Sequence, residues 1–485
     1  MTAGVSEAEA LRVETGLDTV APRARLLSVS QIVRRLFRMA LLFLAARLLG
    51  VATFGNYALL LTVVEMIALI SGVGYVDFLT REVAKRSGAA WPLGVRVTVL
   101  RLAYVVPALG LALLLLAALH FPWSLVANTG LLSLTLLPRA VGESAQGVLK
   151  GLRRFAPLPW IELVQGATVV TAAVLLIRLG LGLRGVIIAE ILGATAGSLV
   201  ALVSVAGSAR SEAGDAPGFR DLAHSTFAFN VYPFIVNVYD RVDVVLLAKL
   251  AGSLATGIYA LPYRAYGTLN IVPYGVMGAL LPALSASGVD QRARDACARA
   301  MKFLYLVSLL IVLATLTFAG PVVSFLLGDS YAGSIQTVKI LIWAGVPMFL
   351  NFALSTLLLA AHKEKAFLWT ASVCTCFNIA ANLLLIPRYS YLAAAAITVA
   401  TESLLLVMNV YLVKRLLGQS VFPKDGVKIT AGFIAVVAAY WVLGREISQV
   451  WAGSAACLIF AVLALRTASG MRVVKALVGQ SGTRS

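Results

Sequence analysis

Three arginines, Arg34, Arg35 and Arg38, stand in an otherwise apolar stretch, and Arg34 and Arg38 share one helical face. A guanidinium is always charged and presents paired donors that match a phosphate, so the chemistry on offer is anion capture. A helix over 26–50 puts Arg38 roughly 18 Å below its outer end, close to mid-depth of a bilayer. The alternative is an inner-surface segment whose arginines snorkel into headgroups. A second charged group, Asp240, Arg241 and Asp243, falls in the seventh apolar stretch. Either these three satisfy one another locally, or Asp240 pairs with Arg38 and a substrate phosphate competes for the arginine. In the second case binding is coupled to opening, because the ligand then contacts the two states differently.

Other ionisable residues inside apolar stretches are costly there and so face a cavity or a partner. Arg139 and Glu143 are four apart and read as a local pair. Glu65, Asp77, Glu190 and Glu402 are each able to take up a coupling cation or proton, and none stands out. Arg264 is flanked by Tyr263, Tyr266 and Asn270, a set suited to sugar and phosphate contacts or to ordinary helix packing. Lys339 lines a cavity or sits at the outer end of its span.

The elements that must position these groups follow from composition. Of 485 residues, 60% are hydrophobic and 13% charged, with a mean hydropathy of +0.91. A soluble chain is about 45–50% apolar and about 25% charged, so the excess faces lipid. The net charge of +18 then reads as cytoplasmic loops obeying the positive-inside rule, and a nucleic-acid-binding module is excluded. Four cysteines without CxxC spacing and three histidines argue against structural zinc and a disulfide framework. No cofactor is expected. The polar first twenty-five residues resemble no cleaved leader.

At about 20 apolar residues per crossing, the chain reads as an all-α integral membrane protein of roughly fourteen spans. Basic residues favour one side by roughly five to one, placing both termini in the cytoplasm. On that inner side fall Arg81, Lys85, Arg86, Arg96, Arg101, Lys150, Arg153 and Arg154 among others. The outer connections are short and carry no pair of carboxylates, so an enzyme acting on glycans in an outer loop is not expected.

A repeat organises the spans. Residues 46–59 align without a gap with residues 248–261, an offset of 202: Gly50 meets Gly252, Gly55 meets Gly257, Tyr57 meets Tyr259 and Arg47 meets Lys249. The glycines suit a tight outer turn, and the tyrosines suit the membrane–water boundary. An offset of six spans returns to the same side, so the repeats are parallel. The chain divides into a polar tail (1–25), an N-lobe of spans 1–6 (26–207), a linker (208–219), a C-lobe of spans 7–12 (220–415), a terminal pair (427–468, as helices 427–444 and 447–468) and a tail (469–485). Two parallel lobes around a central cavity suit alternating access by rocking.

At these residues the sequence resembles the multidrug/oligosaccharidyl-lipid/polysaccharide (MOP) exporter superfamily, most of all its polysaccharide-biosynthesis, or O-antigen-type, branch. The first-lobe signature reads Ala46-Arg47-x-x-Gly50 and Phe54-Gly55-x-Tyr57, followed by Gly72-x-Gly74 and Arg81. The second reads Asp240-Arg241-x-Asp243, Gly252, Gly257-x-Tyr259 and Pro282. The resemblance implies two six-helix bundles facing a cavity and transbilayer movement of polyprenyl-pyrophosphate-linked sugars. Lipid II flippases and drug/cation antiporters are cousins, and the terminal pair departs from the twelve-span antiporter plan. The substrate-binding residues expected are Arg34, Arg35, Arg38, Arg264, Tyr263 and Asn270; the gating or ion-coupling residues are Asp240, Asp243, Arg241, Asp77 and Glu65. Expected partners are the anionic lipid-linked oligosaccharide, membrane lipids and glycan-assembly proteins, in the inner membrane of a bacterial or archaeal cell.

Overall fold

The computed structural model describes residues 4–206, 218–219, 222, 241–286, 291–418, 425–446 and 449–466. Asp240, the linker over 208–217 and the tail over 469–485 lie outside the described residues. Every described element is helical, as a bilayer demands of a chain that must satisfy its own backbone hydrogen bonds. Contacts divide the chain into two units, Met1–Arg241 and Val242–Ser485.

The first unit holds α1 (Gly4–Leu49), α2 (Val51–Lys85), α3 (Ala90–Ala118), α4 (Trp123–Ser133), α5 (Leu136–Gly151), α6 (Pro157–Leu176) and α7 (Gly182–Ala206). Helix α1 packs on α6, α6 on α7, α7 on α5, α5 on α2 and α2 on α3. Buried Tyr75, Leu79, Leu93, Val97, Leu149 and Ile161 form a shared core at one end. A helix at residues 241–250, α8, begins at the unit boundary. The second unit continues with α9 (Gly252–Thr268), α10 (Ile271–Ala286), α11 (Gln291–Leu327), α12 (Ala332–Leu341), α13 (Gly345–Ala360) and α14 (Glu364–Leu417), then α15 (Gly426–Glu446) and α16 (Gln449–Arg466). Its core gathers Tyr259, Leu304, Phe349 and Leu357. The terminal pair packs on α11 through Phe433, Phe460 and Leu313. At its start Lys302 donates to Asp425 at 2.7 Å, and this bond holds the Asp425 carboxyl below the usual carboxylate range.

Seven helical runs among the described residues are long and apolar enough to cross a membrane. Two of these, Pro157–Ala206 and Leu368–Leu416, are each a hairpin. The first turns at Gly180 (φ 86°) and Gly182 (φ 51°), the second at Ser390 (φ 54°). Three of the sequence-read spans are interrupted near their middle: the fourth at Leu134–Thr135, the tenth between Leu341 and Gly345, and the eighth at Leu269–Asn270. The fourth and tenth breaks stand at matching places in the two units. Glu143 and Asn351, one either side of an offset of 208, both follow such a break. At these points the local bonds tighten to i→i+3, and Pro138, Pro273 and Pro347 each remove one i→i+4 bond four residues back.

The repeat shows itself in the backbone. Gly50 and Gly252, its aligned glycines, both have left-handed φ, 77° and 82°, which a side chain disfavours. Arg47 and Lys249 are both exposed before the turn. We expect Gly50→Ala and Gly252→Ala each to cost about 1–2 kcal/mol, read as a lower thermal midpoint of the detergent-solubilised protein. Gly55 and Gly257, by contrast, lie buried within helices and make no turn. Tyr57 and Tyr259 face the protein interior: both are 0% exposed. They fall on the inward face of the helix that follows each turn, and each finds a carboxylate there.

Candidate functional site

Arg38 stands where α1 crosses α2 and α7. Its Nη2 donates to Glu65 Oε1, and its Nη1 lies 3.6 Å from Glu190 Oε1. That Glu190 oxygen also accepts from the Tyr57 hydroxyl at 2.7 Å. The second oxygen of Glu65 accepts from Arg241 Nη1, at the end of the first unit. A chain of five groups results: Arg241, Glu65, Arg38, Glu190 and Tyr57. The Glu65 and Glu190 side chains are 13% and 11% exposed, while that of Arg38 keeps 29%. Burial of this depth is affordable only with partners in place, yet the arginine keeps an accessible edge. Tyr57→Phe removes a hydrogen bond to a charged group, so we expect a loss of about 1.5–3 kcal/mol, measured as the thermal midpoint against wild type.

A second charged group lies along α1, α3, α5 and α6. Arg101 on α3 donates to Glu143 at 2.5 Å and to the Ala140 carbonyl at 3.2 Å. Arg139 Nε lies 3.7 Å from the other Glu143 oxygen, the local pair read from the sequence. Arg34 reaches Glu162 at 3.9 Å and donates to Gln31. These residues border an open, polar pocket. Behind it Ser198 donates to the Pro138 carbonyl at 2.5 Å. Gly142 sits so close to Ser198 that a Cβ there would fall 2.4 Å from its hydroxyl, which is how α5 and α7 approach closely.

Two groups were misplaced or missed in the sequence. Arg101 is no inner-loop charge: it lies within α3, 3% exposed, and serves Glu143 from behind. Its signal was the apolar run on both sides of it. Glu162, 6% exposed, stands one turn inside α6 and was not singled out in the sequence.

The second unit builds a mostly neutral polar core. Tyr259 donates to Asp243 at 2.5 Å and touches Thr398 at 3.2 Å, while Asp243 also accepts from the Val244 amide. Asn351 donates to both the carbonyl and the carboxylate of Glu402, each at 2.9 Å. Asn409 donates to Asn351, Asn378 to Thr401 and Asn382 to Asn378. Tyr259 stacks on Tyr263 with centroids 5.2 Å apart, and Tyr263 meets Tyr266 at 6.1 Å. Arg264 is half-buried on the same helix, and Asn270 occupies the break after it. Lys339 lies in the last turn of α12, just before the tenth-span break and away from the outer end. Arg35 and Asp77 are exposed on the protein surface. Among the described residues no group of three or more His, Cys, Asp or Glu is placed to hold a metal.

Thus the structure brings Arg38, Glu65 and Arg241 together with Glu190 and Tyr57, and sets Arg34 in a neighbouring polar wall. Asp243, Tyr263, Arg264 and Asn270 belong to the second unit. What the first group can do is exchange ionic partners: an incoming anion meets a guanidinium already shared between two carboxylates.

Comparison with known proteins agrees with this architecture. The family model described as polysaccharide biosynthesis protein matches residues 23–287, and the MatE model matches residues 231–384. Among curated proteins no sequence match is found. An inward-facing multidrug resistance MATE family transporter of the MOP superfamily superposes with a TM-score of 0.67 at 14% identity, covering 81% of this chain and 97% of its own. The lipid II flippase MurJ, in an inward closed conformation, gives 0.65 at 14% identity over 91% of this chain and 99% of its own. A MATE transporter of Vibrio cholerae gives 0.55 at 15% identity over 82% and 98%. These likenesses concern the fold, that of multi-pass membrane transporters. With the first match spanning more than half of its residues, the chain belongs to the polysaccharide biosynthesis protein family.

Proposed function

We propose that the protein moves a polyprenyl-(pyro)phosphate-linked oligosaccharide from the cytoplasmic to the outer leaflet of the inner membrane by alternating access. The observation that carries this reading is Arg38, a mid-span guanidinium held between Glu65 and Glu190 with an accessible edge. A phosphate competes with those carboxylates for the same donors, so binding has a differential contact with which to shift the protein between states. Arg34 and Arg35 extend the cationic side of α1 toward its inner end. Glu65, Arg241, Asp243, Asp240 and Asp77 are proposed as gating groups, and Arg264, Tyr263 and Asn270 as further substrate contacts. Both termini are placed in the cytoplasm, and the partners are membrane lipids and glycan-assembly proteins.

The energetics are favourable. Carrying one charge through 100 mV is worth about 2.3 kcal/mol, so a pyrophosphate diester leaving an inside-negative cell gains roughly twice that.

Two other cargoes have an observation in their favour. Lipid II fits the longer overlap with MurJ, 91% of this chain against 82% for the Vibrio cholerae transporter. An organic cation exchanged for a proton or sodium fits the MatE match over residues 231–384. Mass spectrometry of lipids retained by the protein in native nanodiscs separates the three. A polyprenyl-pyrophosphate saccharide held by wild type and lost from Arg34→Ala/Arg38→Ala is the expected result. Lipid II in its place redirects the assignment. No such lipid, with pH-dependent binding of organic cations, overturns it.

A further inference from the structure

The pocket between α1, α5, α6 and α7 differs in character from the surroundings of Arg38. Its nine lining residues include no hydrophobic side chain, although it lies within four helices of an apolar bundle. Each carboxylate at its wall is already faced by arginine: Glu162 by Arg34, and Glu143 by Arg139 with Arg101 behind it. Opposite charges thus face one another across the wall. Two neutral groups without an ionic partner, the amides of Gln146 on α5 and Gln165 on α6, also line the pocket. Neither makes a side-chain hydrogen bond to another described residue, and each carries two donors and an acceptor oxygen. At membrane depth such groups need a polar occupant. Gly197 opposite keeps Gln165 in place, since a Cβ there would fall 2.8 Å from its side chain.

We infer that this pocket is a subsite for the uncharged hydroxyl groups of a sugar, read by Gln146 and Gln165, and distinct from the phosphate contact at Arg38. Vicinal hydroxyls donate and accept at once, as a carboxamide does, and they require no net charge in the wall. The inference rests on the proposed lipid-linked saccharide cargo and adds where its sugar is read.

The test compares two probes on the full-length protein in nanodiscs: polyprenyl pyrophosphate without sugar, and polyprenyl-pyrophosphoryl-glucose. Wild type is expected to hold the glycosylated lipid about tenfold more tightly, the yield of one or two net hydrogen bonds. Gln146→Leu/Gln165→Leu is expected to erase that preference while leaving the Kd for the bare lipid unchanged. The milder Gln146→Asn/Gln165→Asn pair, with both amides withdrawn by one methylene, is expected to do the same at an unaltered thermal midpoint, so the result stays readable if the leucine pair fails to fold. Equal binding of both lipids by wild type overturns the subsite and leaves the carrier reading standing. A preference surviving both pairs also overturns it, since the sugar is then read elsewhere. Failure of wild type to bind either lipid overturns the carrier reading and the subsite together.

Discussion

Arg38→Ala is expected to abolish the proposed lipid movement and also to destabilise the protein, whereas Arg38→Ala/Glu190→Gln is expected to regain stability without regaining transport. The expected loss of lipid affinity is about 10²–10⁴-fold, from two charge-assisted hydrogen bonds to phosphate at about 1.5–3 kcal/mol each. The stability loss arises separately. Without Arg38, Glu190 keeps Tyr57 as its hydrogen-bond donor, and Glu65 keeps Arg241. Removing one partner of a buried pair costs about 3–5 kcal/mol; with 29% of the Arg38 side chain exposed, the lower part of that range applies. Neutralising Glu190 removes the stranded charge and returns most of the midpoint. Arg38→Lys keeps the charge but not the paired donors, so it retains stability and binds the lipid weakly. Reconstituted lipid scrambling beside thermal unfolding reads the two effects apart. Full transport by Arg38→Ala would remove the arginine from the mechanism.

Gly193→Ala has the largest purely structural effect we expect. A Cβ at this position falls 2.0 Å from Val169 Cγ2 and 2.9 Å from the Gln165 carbonyl oxygen. The first neighbour is a short, β-branched side chain and the second is backbone, so neither yields easily. Overpacking of this kind costs about 1–3 kcal/mol, and the upper end applies where backbone must move. The affected seam is the α6–α7 hairpin, which carries Glu162, Gln165 and Glu190. Transport and thermal midpoint are therefore expected to fall together. Removing the obstacle with Val169→Ala in the same chain is expected to restore most of both. If Gly193→Ala alone leaves the midpoint unchanged, the helices of the hairpin are not held at the distance described.

Much of this was legible without coordinates. The apolar fraction alone required a helical membrane protein, because lipid offers the backbone no partner. The aligned glycines were readable too, since a repeated glycine before a helix signals left-handed φ, and Gly50 and Gly252 have it. Local spacing identified the Arg139–Glu143 pair, which depends only on helical geometry. Sequence alone likewise singled out Arg38 as a mid-span charge, facing either a cavity or the headgroups.

Partnership beyond one helix was not legible. Tyr57 and Tyr259 look the same in sequence as interfacial tyrosines; only the position of α7 in one unit, and of α8 in the other, gives them Glu190 and Asp243. Arg101 passed for a loop charge because its carboxylate, Glu143, lies 42 residues away. The helix irregularities at Leu134–Thr135 and before Gly345 were legible in principle, since Pro138 and Pro347 stand four residues after Leu134 and Trp343 and a proline cannot donate to the carbonyl four residues back. Composition and spacing thus determined the medium, the helices and the charges to be explained. Tertiary structure decided which charges meet, because the energy of a buried ion depends on atoms a few ångströms away that any distant part of the chain supplies.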